Sequence, residues 1–444
     1  MNIARTICLG FLGVILVGTL ALMLPITGTS GNWNSPFVAV FTTTSAVCVT
    51  GLSIVDVGSY FSFWGQLAIA IDIQIGGLGY MTLTTFLMLL LGRKFDFKQK
   101  LAIQDGFDRP FLQGSKNLIV SIIYTTLIFE ALGAAIVLPT FVAEKGAVMG
   151  LWYAIFHSVS AWNNAGFALP ANGLINYQTS IPINFAISML IIGGGLGYQT
   201  LVEIYLAISH RLQGRSSRFI WSLNFKVTVS TTLLLLCIGT VVIFVTEHRN
   251  LATIGGRDLA HQLTAAWFQS VTTRTAGFNT IDNGKMTMAG LFVTVGLMFV
   301  GASPAGTGGG IKTTTLAILA STTRSALLGK STVVMFERLV PTELLVKAVA
   351  VVFGSAGVVI ISAVAIAFND PQFIAIQVLF EVVSAFATVG LSTGITAQLS
   401  LASQVILVAL MYIGRVGILI LISAAIGKPR LSAVKYPAEN LLVG

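Results

Sequence analysis

Four glycines carry the chemistry this sequence offers. Gly51, Gly166, Gly277 and Gly390 close the stretches FTTTSAVCVTG, FHSVSAWNNAG, FQSVTTRTAG and FEVVSAFATVG, at separations of 115, 111 and 113 residues. Each stretch is an aromatic-led apolar segment that ends in an uncharged pair before the glycine. The pairs are Val49–Thr50, Asn164–Ala165, Thr275–Ala276 and Thr388–Val389. Glycine takes positive φ freely, and such a turn aims successive carbonyl oxygens one way. Four loops of this kind on one axis would replace the hydration shell of a cation with main-chain oxygen. A carbonyl filter needs no ring of carboxylates, and none accompanies these glycines. The competing reading makes them helix-packing positions of the small-xxx-small type. Packing glycines belong inside full-length spans, whereas these end short segments at a near-constant period.

Composition fixes the medium these segments sit in. Of 444 residues, 55% are hydrophobic and 9% charged, against about a quarter charged in soluble domains. A long apolar run precedes each glycine segment (6–25, 117–139, 226–246, 343–368) and another follows it (66–91, 183–208, 287–323, 401–426). The glycine segments themselves are a dozen residues, short of the ~20 that cross hydrocarbon. The chain therefore reads as an all-α polytopic membrane protein. Four tandem helix–pore-loop–helix repeats stand in a pseudo-four-fold arrangement around one central pore. The repeats are 1–92, 116–209, 225–325 with its inner helix broken at 301–315, and 341–427, followed by a tail, 428–444. The first apolar run is expected to be a retained helix, since no small-residue cleavage site follows it cleanly.

Eighteen basic residues fall on one side of this arrangement and four on the other. The first set follows the inner helices (Arg93, Lys94, Lys98, Lys100, Arg109; Arg211, Arg215, Arg218; Arg324, Lys330, Arg338; Lys428, Arg430, Lys435) or flanks the outer ones (Arg5, Lys116, Lys226, Lys347). Lys145, Arg249, Arg257 and Lys285 make the second. The positive-inside rule puts both termini in the cytoplasm, with eight full spans and half-helices entering from outside. The net charge of +9 thus reads as topology rather than nucleic-acid binding.

Within the third inner helix lies GASPAGTGGGIKTTT, residues 301–315. Glycine costs about 1 kcal/mol per helix position and proline about 3. Gly301, Pro304, Gly306, Gly308, Gly309 and Gly310 should therefore melt this helix, and only this one of the four. An unwound segment just inside the filter stands in the ion's path as a gate, with a plain flexible kink as the alternative. The string GTGGGIKT misses a Walker A loop, because Ile311 stands where glycine must precede lysine and no strand leads into it.

Three cations fall at membrane depth, where charge is costly and functional. Arg415, in MYIGRVGILILI, takes a place where two other inner helices carry GGLG (76–79 and 194–197). It is expected to reach the broken third helix and hold the 301–315 loop across the pore. Arg274, three residues before Gly277, should point behind its loop and brace it by pairing with Glu381, at the start of the fourth half-helix, or with Asp282. Lys312 either binds carbonyls of its own loop or faces the cytoplasm. His157 reads as a hydrogen-bonded packing residue near Asn163 and Asn164. Asp72, Glu130 and Glu203 are isolated carboxylates that pair with loop arginines or bind sodium. Cys8, Cys48 and Cys237 are dispersed in apolar sequence and read as packing. No Ser/His/Asp or metal-ligand constellation appears, so no enzyme is expected.

SAVCVTGLSIVD, NNAGF, RTAGFNTID and SAFATVGL resemble the four filter loops of the Trk/Ktr/HKT superfamily of potassium transporters. The length and the tail KYPAENLLVG are similar to its KtrB-type membrane subunits. The resemblance covers essentially the whole chain. It implies potassium uptake, often sodium-dependent, across the inner membrane by a homodimer with one pore per subunit. It implies a cytoplasmic nucleotide-binding ring of the KtrA type as partner, with the 301–315 segment as gate and Arg415 beside it. No cofactor is expected beyond the transported potassium, with sodium as an activator. The short basic cytoplasmic surface (93–100, 211–218 and the tail from Gly427) fits a docking face for a sensor in trans. An ion-coupled potassium symporter, or a sodium-permeable member of the superfamily, is the alternative, although no inverted repeat or midplane carboxylate cluster supports coupling. A receptor or scaffold would need loops longer than this chain has.

Overall fold

The computed structural model describes residues 3–79, 115–214 and 219–426. The basic loop 93–109, Arg215, Arg218 and the tail 428–444, to which topology and partner docking were assigned, lie outside them.

One element order recurs four times along the chain: a long helix, a short helix, a glycine-bearing loop and another helix. The long helices are Ile3–Met23, Ser115–Lys145, Leu223–Glu247 and Thr342–Asn369, here called outer helices. Each contains a stretch apolar and long enough to cross a membrane. Their exposed faces carry large apolar side chains, such as Leu16 and Val17, Leu127 and Ile128, Leu233 and Leu234, Ile360 and Ile361, as suits hydrocarbon. The short helices are Pro36–Val47, Ala147–Trp162, Leu259–Thr272 and Ala375–Phe386. Their loop-proximal ends are buried among the other elements.

The helices after the loops all start at a hydroxyl residue: Ser62, Ser180, Thr287 and Ser400. Three of these accept a hydrogen bond from the main-chain N–H three residues on, at Gly65, Gly290 and Ser403. This satisfies one of the donors a helix start leaves open. In the second, Pro182 near the helix start takes that role, because it has no N–H to satisfy.

These inner helices are where the structure departs from the sequence reading. The expected break lies in the third alone, within a set of eight full spans. The second instead runs as Ile181–Leu196 and Tyr198–Leu212, bent by 100°, and the fourth as Leu401–Val416 and Ile418–Ile426, bent by 93°. The first, Phe63–Leu78, ends at Gly79. Gly79, Gly197 and Gly417 have φ of +79°, +86° and +89°, a conformation that ends an α-helix and that glycine alone adopts without strain. The third breaks differently, into Met288–Phe299 and Thr313–Leu327 joined by an irregular segment. Among the described residues four helices are long enough to span unbroken, or six counting each bent pair as one.

Gly76, Gly194 and Gly414, three residues before each kink, let the inner helix touch the end of a short helix. A Cβ on any of them would come within 3.0 Å of the carbonyl oxygen of Val47, Trp162 or Phe386 respectively. Three large apolar clusters fill the space around the loops, centred on Phe380 and Phe386, on Trp162 and Phe268, and on Val49 and Phe61.

Candidate functional site

Each loop opens where its short helix ends. In the first, the N–H groups of Val49 and Thr50 return to the carbonyls of Ala46 and Ser45, and that of Gly51 to Ser45 Oγ. The fourth repeats this with Thr388, Val389 and Gly390 on Ala385 and Ser384. The second does so with Asn164 and Ala165 on Ala161 and Ser160. In the third, Ala276 N–H takes the carbonyl of Thr272. The donors named here thus face backwards, toward the short helix. The carbonyls of residues 49–50, 164–165, 275–276 and 388–389 accept no main-chain hydrogen bond among the described residues.

The backbone that does this alternates in handedness. φ is positive at each glycine (+98°, +70°, +77°, +89° at Gly51, Gly166, Gly277, Gly390) and again two residues earlier (+57°, +57°, +71°, +52° at Val49, Asn164, Thr275, Thr388). Three of those earlier residues are β-branched, for which the left-handed region is a genuine outlier. Such strain costs of order 1–3 kcal/mol per residue and persists only where the surroundings over-determine it. Here four loops carry it at the same register. The sequence offered no sign of it beyond the serine six residues before Gly51, Gly166 and Gly390: its carbonyl holds a returning N–H in all three, and its Oγ does so too at Ser45 and Ser384, while Ser160 Oγ donates to Phe167 O.

The four loops meet in a closed circuit. A Cβ on Gly51 would lie within 3.0 Å of Ala165 O, one on Gly166 within 3.0 Å of Ala276 O, one on Gly277 within 3.0 Å of Val389 O, and one on Gly390 within 3.0 Å of Thr50 O. Each glycine abuts the carbonyl just before the next, and the fourth returns to the first. A methyl group at any of the four would collide with main chain. On one side the glycines floor a cavity of about 360 Å³, lined also by Ser53, Asp56, Phe167, Asn279 and Ser392.

On the other side lies the segment 301–312. Gly309 N–H donates to Thr388 Oγ1 at 3.1 Å. A Cβ on Gly308 or Gly309 would strike the hydroxyl of Thr275 or Thr388. Ser303 and Thr307 N–H donate to the carbonyls of Gly195 and Gly194 at the kink of the second inner helix, at 3.0 and 3.2 Å. The segment therefore passes directly against the circuit, under the residues two before Gly277 and Gly390. Its glycines serve this close approach as well as breaking the helix.

The cations are placed as follows. Arg415 donates to the carbonyls of Thr307 and Gly76, tying the segment to the first inner helix as well as its own. Lys312 Nζ donates to Gly308 O at 2.8 Å, which settles its choice in favour of its own loop. Neither expected carboxylate pairs with Arg274 among the described residues. Its Nη2 donates to the carbonyls of Val300 and Gly301, oxygens left without helical partners where the third inner helix ends. Glu381 sits in mid-helix rather than at a helix start. It is occupied by Ser392 and Thr396 hydroxyls and by Thr393, while Asp282 pairs with Lys285 at 3.1 Å.

His157 is packing: Leu169 N–H donates to its Nε2, so Nδ1–H donates to Tyr153 O at 2.7 Å, and Phe141 stacks on the ring. Glu203 accepts from Ser222. Asp72 pairs with no cation among the described residues. Among those residues no cluster of His, Cys, Asp and Glu could hold a metal, and the three cysteines are free.

The sequence model of the family described as "TrkH: Cation transport protein" matches residues 13–436. The chain is 35% identical over 442 residues to "Ktr system potassium uptake protein B" of Bacillus subtilis, covering 99% of this chain and 96% of that one. It is 36% identical over 440 residues to the protein of the same description from Vibrio alginolyticus, covering 99% and 94%. Against "Potassium/sodium uptake protein NtpJ" of Enterococcus hirae identity is 33% over 445 residues, covering 99% and 97%. The crystal structure of the potassium transporter TrkH from Vibrio parahaemolyticus superposes with a TM-score of 0.68 at 17% identity, over 93% of this chain and 84% of that one.

Proposed function

The chain belongs to the TrkH family of cation transport proteins, and we propose that it takes up potassium across the plasma membrane through a filter made of its four glycine loops. Repeats 1–92, 116–209, 225–325 and 341–427 surround one pore in pseudo-four-fold fashion. Potassium leaves its water in the outer cavity and is coordinated by main-chain oxygens of Val49, Thr50, Asn164, Ala165, Thr275, Ala276, Thr388 and Val389 and of the four glycines. The observation that carries this reading is the closed circuit of glycines against neighbouring carbonyls, combined with the main-chain N–H groups of Val49, Thr50, Asn164, Ala165, Ala276, Thr388 and Val389 drawn back to the short helices. The short helices direct their C-terminal, partly negative ends at the same centre, which favours a cation.

The segment 301–312 is the gate. It blocks the inner exit of the filter, is held by Arg415, Lys312 and Thr388, and must shift for ions to pass. Arg274 braces the filter from behind by fixing the carbonyls at which the third inner helix ends. Both termini face the cytoplasm, the working unit is a homodimer, and a nucleotide-binding ring of the KtrA type moves the gate from the cytoplasmic side. Sodium acts as activator or second cargo, in line with the printed name of the Enterococcus hirae relative.

Complementation of a potassium-uptake-deficient strain tests the filter. The parent restores growth on low potassium, and Gly51→Ser, present in the membrane at equal amount, does not. Equal growth of the two would refute the filter, because a side chain at Gly51 cannot coexist with Ala165 O in its place.

A further inference from the structure

The helix Thr313–Leu327 runs on from the segment 301–312, with Lys312 immediately before its first residue. Its far end closes on itself. The main-chain N–H groups of Leu328, Gly329 and Lys330 donate to the carbonyls of Arg324, Ala326 and Ser325, with Gly329 at φ +65°, so these last-turn oxygens are already taken. A hairpin follows, in which Val334–Met335 pairs antiparallel with Arg338–Leu339. Both turn residues, Phe336 and Glu337, have positive φ, as a tight two-residue turn requires. Val333, Met335 and Val340 are buried against Ile318, against Leu223 and Val227 at the start of the third outer helix, and against Leu345 at the start of the fourth. The hairpin is therefore level with the ends of two membrane-spanning helices, the depth of lipid headgroups.

Helix end and hairpin enclose a cavity of about 250 Å³. Arg324 and Lys330 line it together with the hydroxyl residues Ser321, Ser325 and Thr332, and Leu328 and Val334 form its apolar part. Neither cation is in an ion pair among the described residues. Thr322 and Thr323 turn their hydroxyls back to the carbonyls of Ile318 and Leu319, whereas Ser321, Ser325 and Thr332 make no such bond among the described residues. The acids of this stretch are Glu337, at the hairpin turn, and Glu343, at the start of the fourth outer helix, and neither lines the cavity. Topology asks only for basic residues near the end of a span. A cavity lined by a guanidinium, an ammonium and hydroxyls, with no carboxylate, answers the further needs of a phosphate group. Around it Leu327, Leu328, Phe336 and Leu339 are exposed. Apolar surface beside a cationic hollow at this depth suits a ligand with a charged head and hydrocarbon chains.

We propose that this cavity binds the phosphate headgroup of an anionic phospholipid, with Arg324 and Lys330 as its charge partners, and that the bound lipid biases the segment 301–312. The site itself is independent of the potassium reading, and its effect on flux rests on that reading. The link is the helix 313–327, whose 15 residues span about 22 Å. One end carries the cavity residues Ser321, Arg324 and Ser325. At the other, Thr313 Oγ1 lies 3.0 Å from Ser303 Oγ, and Lys312 Nζ donates to Gly308 O. A helix held at one end by lipid restrains the segment at the other.

Native mass spectrometry of the purified full chain tests the site without any flux. The parent should retain phosphatidylglycerol in preference to phosphatidylcholine. A basic residue at a membrane surface is worth about fivefold in affinity for anionic lipid. Arg324→Gln combined with Lys330→Gln should therefore weaken phosphatidylglycerol retention about 30-fold and leave phosphatidylcholine unchanged. Arg249→Gln combined with Arg257→Gln removes the same charge elsewhere and should behave as the parent. In a second arm, potassium flux is compared in phosphatidylcholine vesicles with and without phosphatidylglycerol. Parent flux should differ by about threefold or more, flux of the Arg324/Lys330 variant should not, and inorganic phosphate added to pure phosphatidylcholine vesicles should not reproduce the difference. Equal phosphatidylglycerol retention by the parent and the Arg324/Lys330 variant, or an equal loss in the Arg249/Arg257 control, would overturn the site. An effect reproduced by inorganic phosphate would overturn the lipid assignment, and lipid-independent flux in a conducting parent would overturn the link to the gate.

Discussion

Arg415→Ala isolates the latch on the gate. The guanidinium donates to Thr307 O, in the gate segment, and to Gly76 O, in the first inner helix. Hydrogen bonds from charged donors are worth ~1.5–3 kcal/mol each, so the pair bounds the hold at ~3–6 kcal/mol. The freed carbonyls recover part of this by meeting water on the inner side, which places the net loss near the lower limit, ~3 kcal/mol. At ~1.4 kcal/mol per factor of ten, the displaced position of the segment gains ~100-fold in population. In the proposed pore Arg415 is also a positive charge in the ion's path, and its removal acts in the same direction. The assay is potassium flux into proteoliposomes holding the chain with no partner protein. Flux should rise at least tenfold for Arg415→Ala. Arg415→Gln, which keeps one neutral donor worth ~1 kcal/mol, should lie between the two. Flux within twofold of the parent in both variants, with melting unchanged, would mean that Arg415 does not hold a gate.

Three further substitutions separate close packing from ordinary helix effects and probe the outer loop. Gly414→Ala sets a methyl against Phe386 O, whereas a Cβ at Gly357 of the fourth outer helix meets nothing within 4 Å. The first should lower the melting temperature by several degrees, while Gly357→Ala should leave it level or raise it, since alanine gains up to ~1 kcal/mol in a helix; thermal unfolding in detergent checks both. Glu381→Ala removes the acceptor of Ser392, Thr393 and Thr396 and should cost about 3 kcal/mol or more, read as a lowered melting temperature and faster proteolysis near residues 392–396.

What the sequence made visible and what it hid follow one distinction. The glycine period was legible because the circuit needs the same bare backbone at four places, and nothing but glycine supplies it. The strained residues two positions earlier were not legible, because Val49, Asn164, Thr275 and Thr388 are not glycines, and three of them are β-branched residues that normally avoid positive φ. Their φ is imposed by N–H groups drawn back to the short helix, a constraint written in main-chain bonds. The kinks stand in between. The glycine ending each of GGLG, GGLG and GRVG is an ordinary helix stop, but in apolar sequence of spanning length it reads as continuation.

Arg274 shows the same limit for charge. Sequence offers formal charges, so the search for its partner turned to Glu381 and Asp282. A broken helix also exposes partial charges, and the carbonyls of Val300 and Gly301 take the guanidinium without any carboxylate. Arg415 uses carbonyls in the same way, and so does Lys312. Among the described residues, the three deep cations Arg274, Lys312 and Arg415 are therefore held by main-chain oxygen near broken inner helices. That explains how they stay at membrane depth without acidic partners, and why an acidic residue introduced beside them should pull them off the backbone rather than strengthen the fold.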